Sequence, residues 1–392
     1  MQSDQPVKPS LPRVSAAGFG NVEADMVRYR LEGTERALAL GNRGPVRFVD
    51  GKIDPAILDA YWEHGFYIFQ GVIGAAERAD LERDIANLLD RAPITKGAEV
   101  DKFGRPALGV NCVGRSVTMV KPLSDLYGGT SKNNGRHPVA MSEPGVPDKA
   151  PAYVMQLLLG PLQHSEAHLR LYGHPDMLAV AEAVNGADFV PFNEAIWVKL
   201  PRLGGSVSWH QDGWTHWDSP DLDPGTHGFN FMAQLYGCDA ANGLWVVPGT
   251  HRNGKADIRT MAKAAGSDRL PDAVPLICDP GDIAICNRQM VHGSFANTSP
   301  NIRVTLNFGF HRRKSVLNVR SGGVHNPVSL YDAGYIQRRS RLIAYGINAR
   351  RERFPDEKPY TYEPLAQAMD QYPWSLDEKP DLHDYNLEDL GI

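Results

Sequence analysis

The sequence predicts a mainly β domain of the jelly-roll kind with flanking helices, and three observations carry that prediction. From residue 189 onward the chain reads as short strand-like runs, at about 189–199, 229–238, 244–247, 273–277, 282–286 and 302–310. Turn dipeptides punctuate them, Asn242-Gly243, Pro248-Gly249 and Pro280-Gly281. Helical patterns precede and follow these runs instead of alternating with them, which disfavours a parallel βαβ sheet and favours a sandwich or barrel.

In chain order, residues 1–50 carry scattered Gly, Pro and Arg without sustained periodicity and read as an arm wrapping the domain or a partner subunit. The domain proper is expected over 51–313. Asp54 can cap a helix with Pro55 at its first position, Ile57, Leu58, Tyr61 and Trp62 as its apolar residues and Gly65 as its stop. A short strand at 66–70 follows, and Leu81, Ile85, Leu88 and Leu89 then draw the stripe of a second helix. Residues 91–150 are rich in Gly and Pro, with turn clusters at Tyr127-Gly128-Gly129 and Asn133-Asn134-Gly135. A loop that long within a compact domain is usually functional or disordered, and we expect a lid over a pocket mouth. Residues 175–184 read as a helix closed by Gly186. Residues 314–392 form a C-terminal extension: Ser329-x-x-Asp332 reads as a capping box opening a long helix through Arg353, Pro355 ends it, and a polar, extended tail follows.

Composition excludes several classes. The hydrophobic fraction of 42% and charged fraction of 22% are those of a globular chain, and 392 residues can bury a large core. Lys+Arg 41 against Asp+Glu 46 leaves a net charge of -5, so no global positive field collects nucleic acid or an anionic membrane. No run reaches the roughly 18–20 apolar residues needed to span a bilayer. The four cysteines, Cys112, Cys238, Cys278 and Cys286, form no C-x-x-C pair, and the first twelve residues show no signal-peptide pattern, so a reducing cytoplasm is the expected setting.

The most informative segment is Trp209-His210-Gln211-Asp212-Gly213. Residues two apart on extended backbone point the same way, so His210 and Asp212 can reach one point in space. One further imidazole completes the facial triad that suits non-haem Fe(II) and leaves coordination positions open; His292, in Met290-Val291-His292-Gly293-Ser294, can supply it. An H-x-D triplet alone is also what an exposed polar loop looks like. Arg303 raises the odds, because it lies on a run with unusually clean alternation. Ile302, Val304, Leu306, Phe308 and Phe310 form one face, and Arg303, Thr305, Asn307, Gly309 and His311 the other. An interior Arg needs an anion, either a ligand carboxylate held by its planar fork or a protein Asp or Glu.

These residues carry a resemblance. His210-x-Asp212, then Asn242-Gly243-Leu244-Trp245-Val246-Val247-Pro248-Gly249-Thr250-His251, then Pro280-Gly281-Asp282, His292-Gly293-Ser294 and Arg303 resemble in order the phytanoyl-CoA dioxygenase family of Fe(II)/2-oxoglutarate oxygenases. The opening, with Gly65-Phe66 and Gln70-Gly71-Val72, is similar to that family's helical region, and the likeness covers about residues 52–313. It implies a double-stranded β-helix (jelly roll, cupin-like) core, Fe(II) held by His210, Asp212 and His292, and 2-oxoglutarate chelating iron while Arg303 and Ser294 hold its far carboxylate. O2 is the third reactant, succinate and CO2 are released, and a small organic molecule is the substrate. Related halogenases replace the carboxylate ligand with a small residue; Asp212 is retained here, which favours hydroxylation or another oxidative C–H chemistry. The likeness is weaker at 229–238, where Gln234 is the residue left to contact the co-substrate, and the family's Cys after Asn-Gly is missing. Lys199 stands where the family commonly has a Lys before Pro, and a snorkelling strand-end Lys is the expectation.

Trp214, His216 and Trp217 follow the ligands directly and are candidates for the substrate wall, against plain aromatic packing. His227, His251 and His311 read as structural or supporting histidines. Arg338, Arg339, Arg341, Arg350, Arg351 and Arg353 read as a solvated or intersubunit helix face, ahead of phosphate recognition. Tyr360, Tyr362, Tyr372 and Trp374 in the tail are aromatic anchors of the type found at interfaces, compatible with a homo-oligomer built through the extensions. Two other readings stay open: a cupin-like metalloenzyme that does not use 2-oxoglutarate, against which Arg303 and Ser294 speak, and a non-catalytic binding protein on the same scaffold, against which the intact triad speaks.

Overall fold

The computed structural model describes residues 16–114, 116–212, 228–322, 326–375 and 382–391. Helix α1 (Glu23–Leu40) and a short strand β1 (Arg43–Gly44) lead into α2 (Pro55–His64), β2 (Phe66–Phe69) and α3 (Ala75–Arg91). Asp54 caps α2 through the amide of Ala56, Pro55 opens it, and Gly65 ends it at φ +83°, a conformation that costs glycine nothing. The long segment after α3 contains β3 (Val117–Val120), and β4 (Val154–Leu159) follows it. Helices α4 (Glu166–Tyr172) and α5 (Pro175–Asn185) then lead to the β-rich part: β5 (Val190–Lys199), β6 (Val207–His210), β7 (Gly228–Gln234) and β8 (Trp245–Val246). After α6 (Ile258–Ala265) come β9 (Val274–Pro275), β10 (Ile283–Asn287), β11 (His292–Ser294) and β12 (Arg303–His311), and α7 (Ala333–Arg353) closes the set.

Eight strands form one sheet in the order β1-β2-β10-β7-β12-β5-β4-β3, and four form a second in the order β9-β8-β11-β6. From β5 to β12 the chain passes back and forth between the two sheets, staying in the small one only for the β8–β9 step. This is a double-stranded β-helix, and its inner faces enclose one cavity. By residue count helices exceed strands, 34% against 21%, because the strands are short and the helices are the cladding.

Each outer sheet face is covered by helices. Val304, Leu306, Phe308 and Phe310 of β12 pack with Phe229 and Phe231 of β7 against apolar residues of α2 to α5 and α7, in one large core. The small sheet presents Trp209, Trp245 and Phe295 to Met26 and Tyr29 of α1 and to Ile258 and Ala262 of α6. Helix α1 lies within the span read as an arm without legible structure. Its buried positions, Met26, Tyr29, Arg30, Gly33, Thr34 and Ala37, keep helical spacing, but four of the six are small or polar, so no apolar stripe marks them. Gly33 is required there, since a Cβ would come within 2.5 Å of the Trp245 ring.

Three expectations for the C-terminal part are corrected. The cap of α7 is Asp332, which accepts from the amide of Tyr335, whereas Ser329 lies in a short strand pair. The arginines of α7 are not one solvated face. Arg339 is fully buried and donates to both oxygens of Glu194 and to Asp389, and Arg350 bridges Glu77 and Glu357. The tail is not extended over the surface either: Tyr362, Trp374 and Tyr385 are buried in the large core, because the outer sheet face needs more apolar cover than the helices supply. Tyr360 and Tyr372 pack partly buried against the same core.

Candidate active site

The two sheets place the triad by register. His292 of β11 sits opposite His210 of β6, so both imidazoles leave neighbouring strands on the same side, with ring centroids 4.1 Å apart. Asp212 follows two residues beyond His210, its amide tied to the carbonyl of Arg288. Its carboxylate lies 3.6 Å from Nε2 of His210 and 3.9 Å from Nε2 of His292. One ligand atom from each of the three residues falls within 4.8 Å of the other two, a separation at which a single ion can bridge them.

Hydrogen bonds fix which nitrogen each histidine presents. Nδ1 of His210 lies 2.8 Å from the Ser208 carbonyl and Nδ1 of His292 lies 2.9 Å from the Met290 carbonyl. A carbonyl only accepts, so each Nδ1 carries the proton and each Nε2 turns a lone pair toward Asp212. Burial pushes the His210 imidazole well below its ordinary pKa, and neighbouring His292 and His137 add to it; burial also lowers His292, against the pull of Asp212. Burial pushes the Asp212 carboxyl up, but His292, Arg136 and Arg288 outweigh it and hold it below the usual carboxylate range. Two neutral imidazoles and one carboxylate at neutral pH are the protonation states a divalent cation takes up. The donor set therefore fits a non-haem iron ion.

A cavity of about 430 Å³ extends from the triad between the sheets. Arg303, Thr305 and Asn307 of β12 line it together with Ser294 of β11, so the polar face of the alternating strand points inward as its pattern predicts. Arg303 is wholly buried. One of its terminal nitrogens donates to the Asn242 carbonyl at 3.1 Å, its Nε has no hydrogen-bond partner among the described residues, and burial lowers its pKa. No described ion pair links it to a protein carboxylate, so the alternative of a structural Arg–Asp or Arg–Glu pair lacks its partner.

Other sequence-predicted residues fall elsewhere. Gln234 is buried beside the cavity wall, where its amide oxygen accepts from the Thr305 hydroxyl at 2.9 Å, and it is not among the cavity-lining residues. Lys199 does not snorkel. It is 2% exposed, its ammonium donates to the Phe295 carbonyl, and burial plus adjacent Arg303 push its pKa well below the ordinary amine value. The strand-end position misled because β5 ends under the 200–206 turn and not at solvent. His251 accordingly has a structural place, its ring nitrogen 2.9 Å from the Trp62 carbonyl. His311 is buried, with Nε2 3.2 Å from a terminal nitrogen of Arg288. Trp214, His216, Trp217 and His227 lie outside the described residues. Cys238, Cys278 and Cys286 are buried and unbridged.

Sequence reasoning missed several cavity residues. Arg136 and His137 come from the segment expected to be a lid: Arg136 reaches to 3.3 Å from Asp212, and the His137 ring lies tilted against the His210 ring, centroids 4.2 Å apart. Arg288, in the turn between β10 and β11, lies over the Phe192 ring at 3.7 Å, and the Asn230 amide donates to Asp212 at 3.1 Å. The turn cluster 133–135 located the neighbourhood of Arg136, but nothing in one sequence aims a loop arginine at a particular carboxylate.

Comparison with known proteins agrees with this picture. Residues 152–305 match the family model described as Phytanoyl-CoA dioxygenase (PhyH). "Phytanoyl-CoA dioxygenase 1" of Oryza sativa subsp. japonica is 30% identical over 116 residues, which are 28% of this chain and 40% of that protein, so the match spans less than half of the rice protein. A structure of EctD from S. alaskensis with 2-oxoglutarate and 5-hydroxyectoine is 19% identical, with a TM-score of 0.47 over 70% of this chain and 83% of that one. The non-heme alpha ketoglutarate dependent epimerase SnoN is 17% identical, with a TM-score of 0.43 over 66% and 84% of the two chains. No described helix is long and apolar enough to cross a membrane. Through residues 152–305, the segment that holds His210, Asp212, His292, Ser294 and Arg303, this chain is similar to the phytanoyl-CoA dioxygenase family.

Proposed function

We propose that this protein is an Fe(II)/2-oxoglutarate-dependent dioxygenase that hydroxylates a small organic substrate. The observation that carries the proposal is the pairing, in one cavity, of a tautomer-fixed His210–Asp212–His292 cluster with a buried Arg303 that has no carboxylate partner among the described residues. With iron at the cluster, 2-oxoglutarate and O2 supply the oxidative chemistry, the keto acid leaving as succinate and CO2 while a substrate C–H becomes an alcohol.

The chain's own residues supply position and charge. His210 and His292 offer neutral Nε2 atoms and Asp212 an anionic oxygen, so no proton needs to leave before metal binds. Arg303 offers a fork for the distal carboxylate of the co-substrate, and the Ser294 hydroxyl adds a donor from the facing sheet. Two walls of short strands and the 91–150 lid keep water from the reacting centre. The free cysteines are compatible with a cytoplasmic setting, and the oligomer proposed through the extensions would use surface other than the buried Tyr362 and Trp374.

The test is an anaerobic titration of 2-oxoglutarate into Fe(II)-loaded protein, following the visible charge-transfer band of a chelated keto acid. A saturable band that vanishes in His292→Ala and shifts to much higher concentration in Arg303→Ala is expected. Metal binding with no band in the wild-type protein rejects the assignment and favours a cupin-like enzyme that does not use 2-oxoglutarate.

A further inference from the structure

The described residues that line the cavity carry more positive charge than the proposed co-substrate accounts for. On the oxygenase reading, iron, Asp212, the dicarboxylate of 2-oxoglutarate and Arg303 balance to neutrality. Arg136 and Arg288 also line the cavity, and the described carboxylate nearest both is Asp212, at 3.3 and 3.9 Å. With Asp212 committed to a metal, its charge is shared among three cationic centres. Among the described residues that line the cavity the other carboxylate is Asp389, held at 3.0 Å by Arg339. Arg136 also keeps a buried Nε without a hydrogen-bond partner among the described residues.

Another part of the cavity lining is apolar. Leu157 and Leu159 of β4 form with Ala195 and Trp197 of β5 a small cluster separate from the large core, and all four line the cavity. Cationic donors and an apolar cluster in one cavity suit a molecule with one anionic end and a hydrocarbon or aromatic body.

We infer that the cavity binds its organic substrate through an anionic group, a carboxylate or a phosphate ester, held by Arg136 and Arg288, with the apolar body against Leu157, Leu159, Ala195 and Trp197. This inference rests on the oxygenase reading for its charge balance. Arg136 reaches the site from the lid, so a bound anion also ties the lid to the metal-site wall, and Arg288 holds its plane against Phe192. Both are positioning residues for substrate, distinct from Arg303, which serves the co-substrate.

The experiment is calorimetric titration of the full chain, loaded with Mn(II) and 2-oxoglutarate, with matched pairs of acid and amide: acetate and acetamide, benzoate and benzamide, 3-phenylpropionate and 3-phenylpropionamide. Phenyl phosphate is the phosphate probe. At least one acid should bind about tenfold or more tightly than its amide, the scale of one charge-assisted contact. Arg136→Gln should erase that preference while the 2-oxoglutarate charge-transfer band still forms, and Arg136→Lys should restore part of it. Tighter binding of phenyl phosphate than of benzoate assigns the phosphate class, and the reverse assigns the carboxylate class. If no acid outbinds its amide and phenyl phosphate does not bind, or if Arg136→Gln keeps the preference, the inference is overturned even where the charge-transfer band forms normally. Loss of the band in wild-type protein that still prefers acids would reject the oxygenase reading and leave the anion subsite standing.

Discussion

Two buried arginines, Arg339 on helix α7 and Arg303 on strand β12, have opposite surroundings. Arg339 donates to Glu194 of β5 and to Asp389 of the tail; burial works to lower its pKa, and the two carboxylates raise it well above the ordinary value. Arg303 lies on β12, the strand next to β5, faces the cavity and has a single described hydrogen bond, to a backbone carbonyl. Removing a guanidinium from water costs several kcal/mol unless a counter-charge compensates it. Where the chain provides the counter-charge, the arginine fastens structure; where no described residue provides it, as at Arg303, the guanidinium is left for the co-substrate carboxylate that the proposed function assigns to it.

The widest separation between the two should come from replacing each by Met. Arg339→Met leaves Glu194 and Asp389 buried without their cation and should cost about 3–5 kcal/mol in chemical denaturation. Arg303→Met should change stability by less than about 1 kcal/mol, since it removes an uncompensated charge, yet raise the 2-oxoglutarate concentration needed for the charge-transfer band. Equal stability losses would break the comparison. A second contrast uses neighbours on β4. Leu158 is fully buried in the large core and Leu157 faces the cavity, so Leu158→Ala should cost about 2–5 kcal/mol and Leu157→Ala clearly less, while altering substrate binding.

The third contrast is by pH. His168 is wholly buried under Phe308, both ring nitrogens lack a described hydrogen-bond partner, and burial lowers its pKa to about 3. The unfolded chain therefore takes up this proton at a higher pH than the folded one. Its contribution is constant above the ordinary histidine value of about 6.5 and turns against folding as pH falls from there toward about 3. His168→Leu should flatten the acid side of the stability profile in that window, and an unchanged profile would show that the ring reaches water or a partner. The smallest effect concerns the start of α7: Asp332→Ala should cost about 1 kcal/mol as a lost helix cap, and Ser329→Ala less than about 0.5 kcal/mol.

Much of the site was legible because its signals are local. The His210-x-Asp212 spacing needs only an extended backbone, and the two-faced alternation of β12 needs only the pleat, so both survive in one sequence. The capping of α2 by Asp54, Pro55 and Gly65 is equally local. What was missed depends on long-range packing. Helix α1 buries glycine, threonine and arginine against Trp245 and its neighbours, a surface 200 residues away in the chain, and no apolar period announces it. Lys199 and the tail aromatics were read from composition, and tertiary cover decided otherwise.

The amino-acid sequence determined by itself the chemistry on offer: two imidazoles and a carboxylate at the right spacings, an arginine on the polar face of an alternating strand, and turn-bounded short strands that can close into two sheets. The tertiary structure alone decided that His292 pairs in register with His210, that Arg303 has no carboxylate partner among the described residues while Arg339 has two, and that Arg136 of the 91–150 segment comes within 3.3 Å of Asp212. The division has one physical cause. Backbone periodicity is fixed by neighbours in sequence, whereas the partner of a buried charge is fixed by whichever segment the closed core brings within about 4 Å.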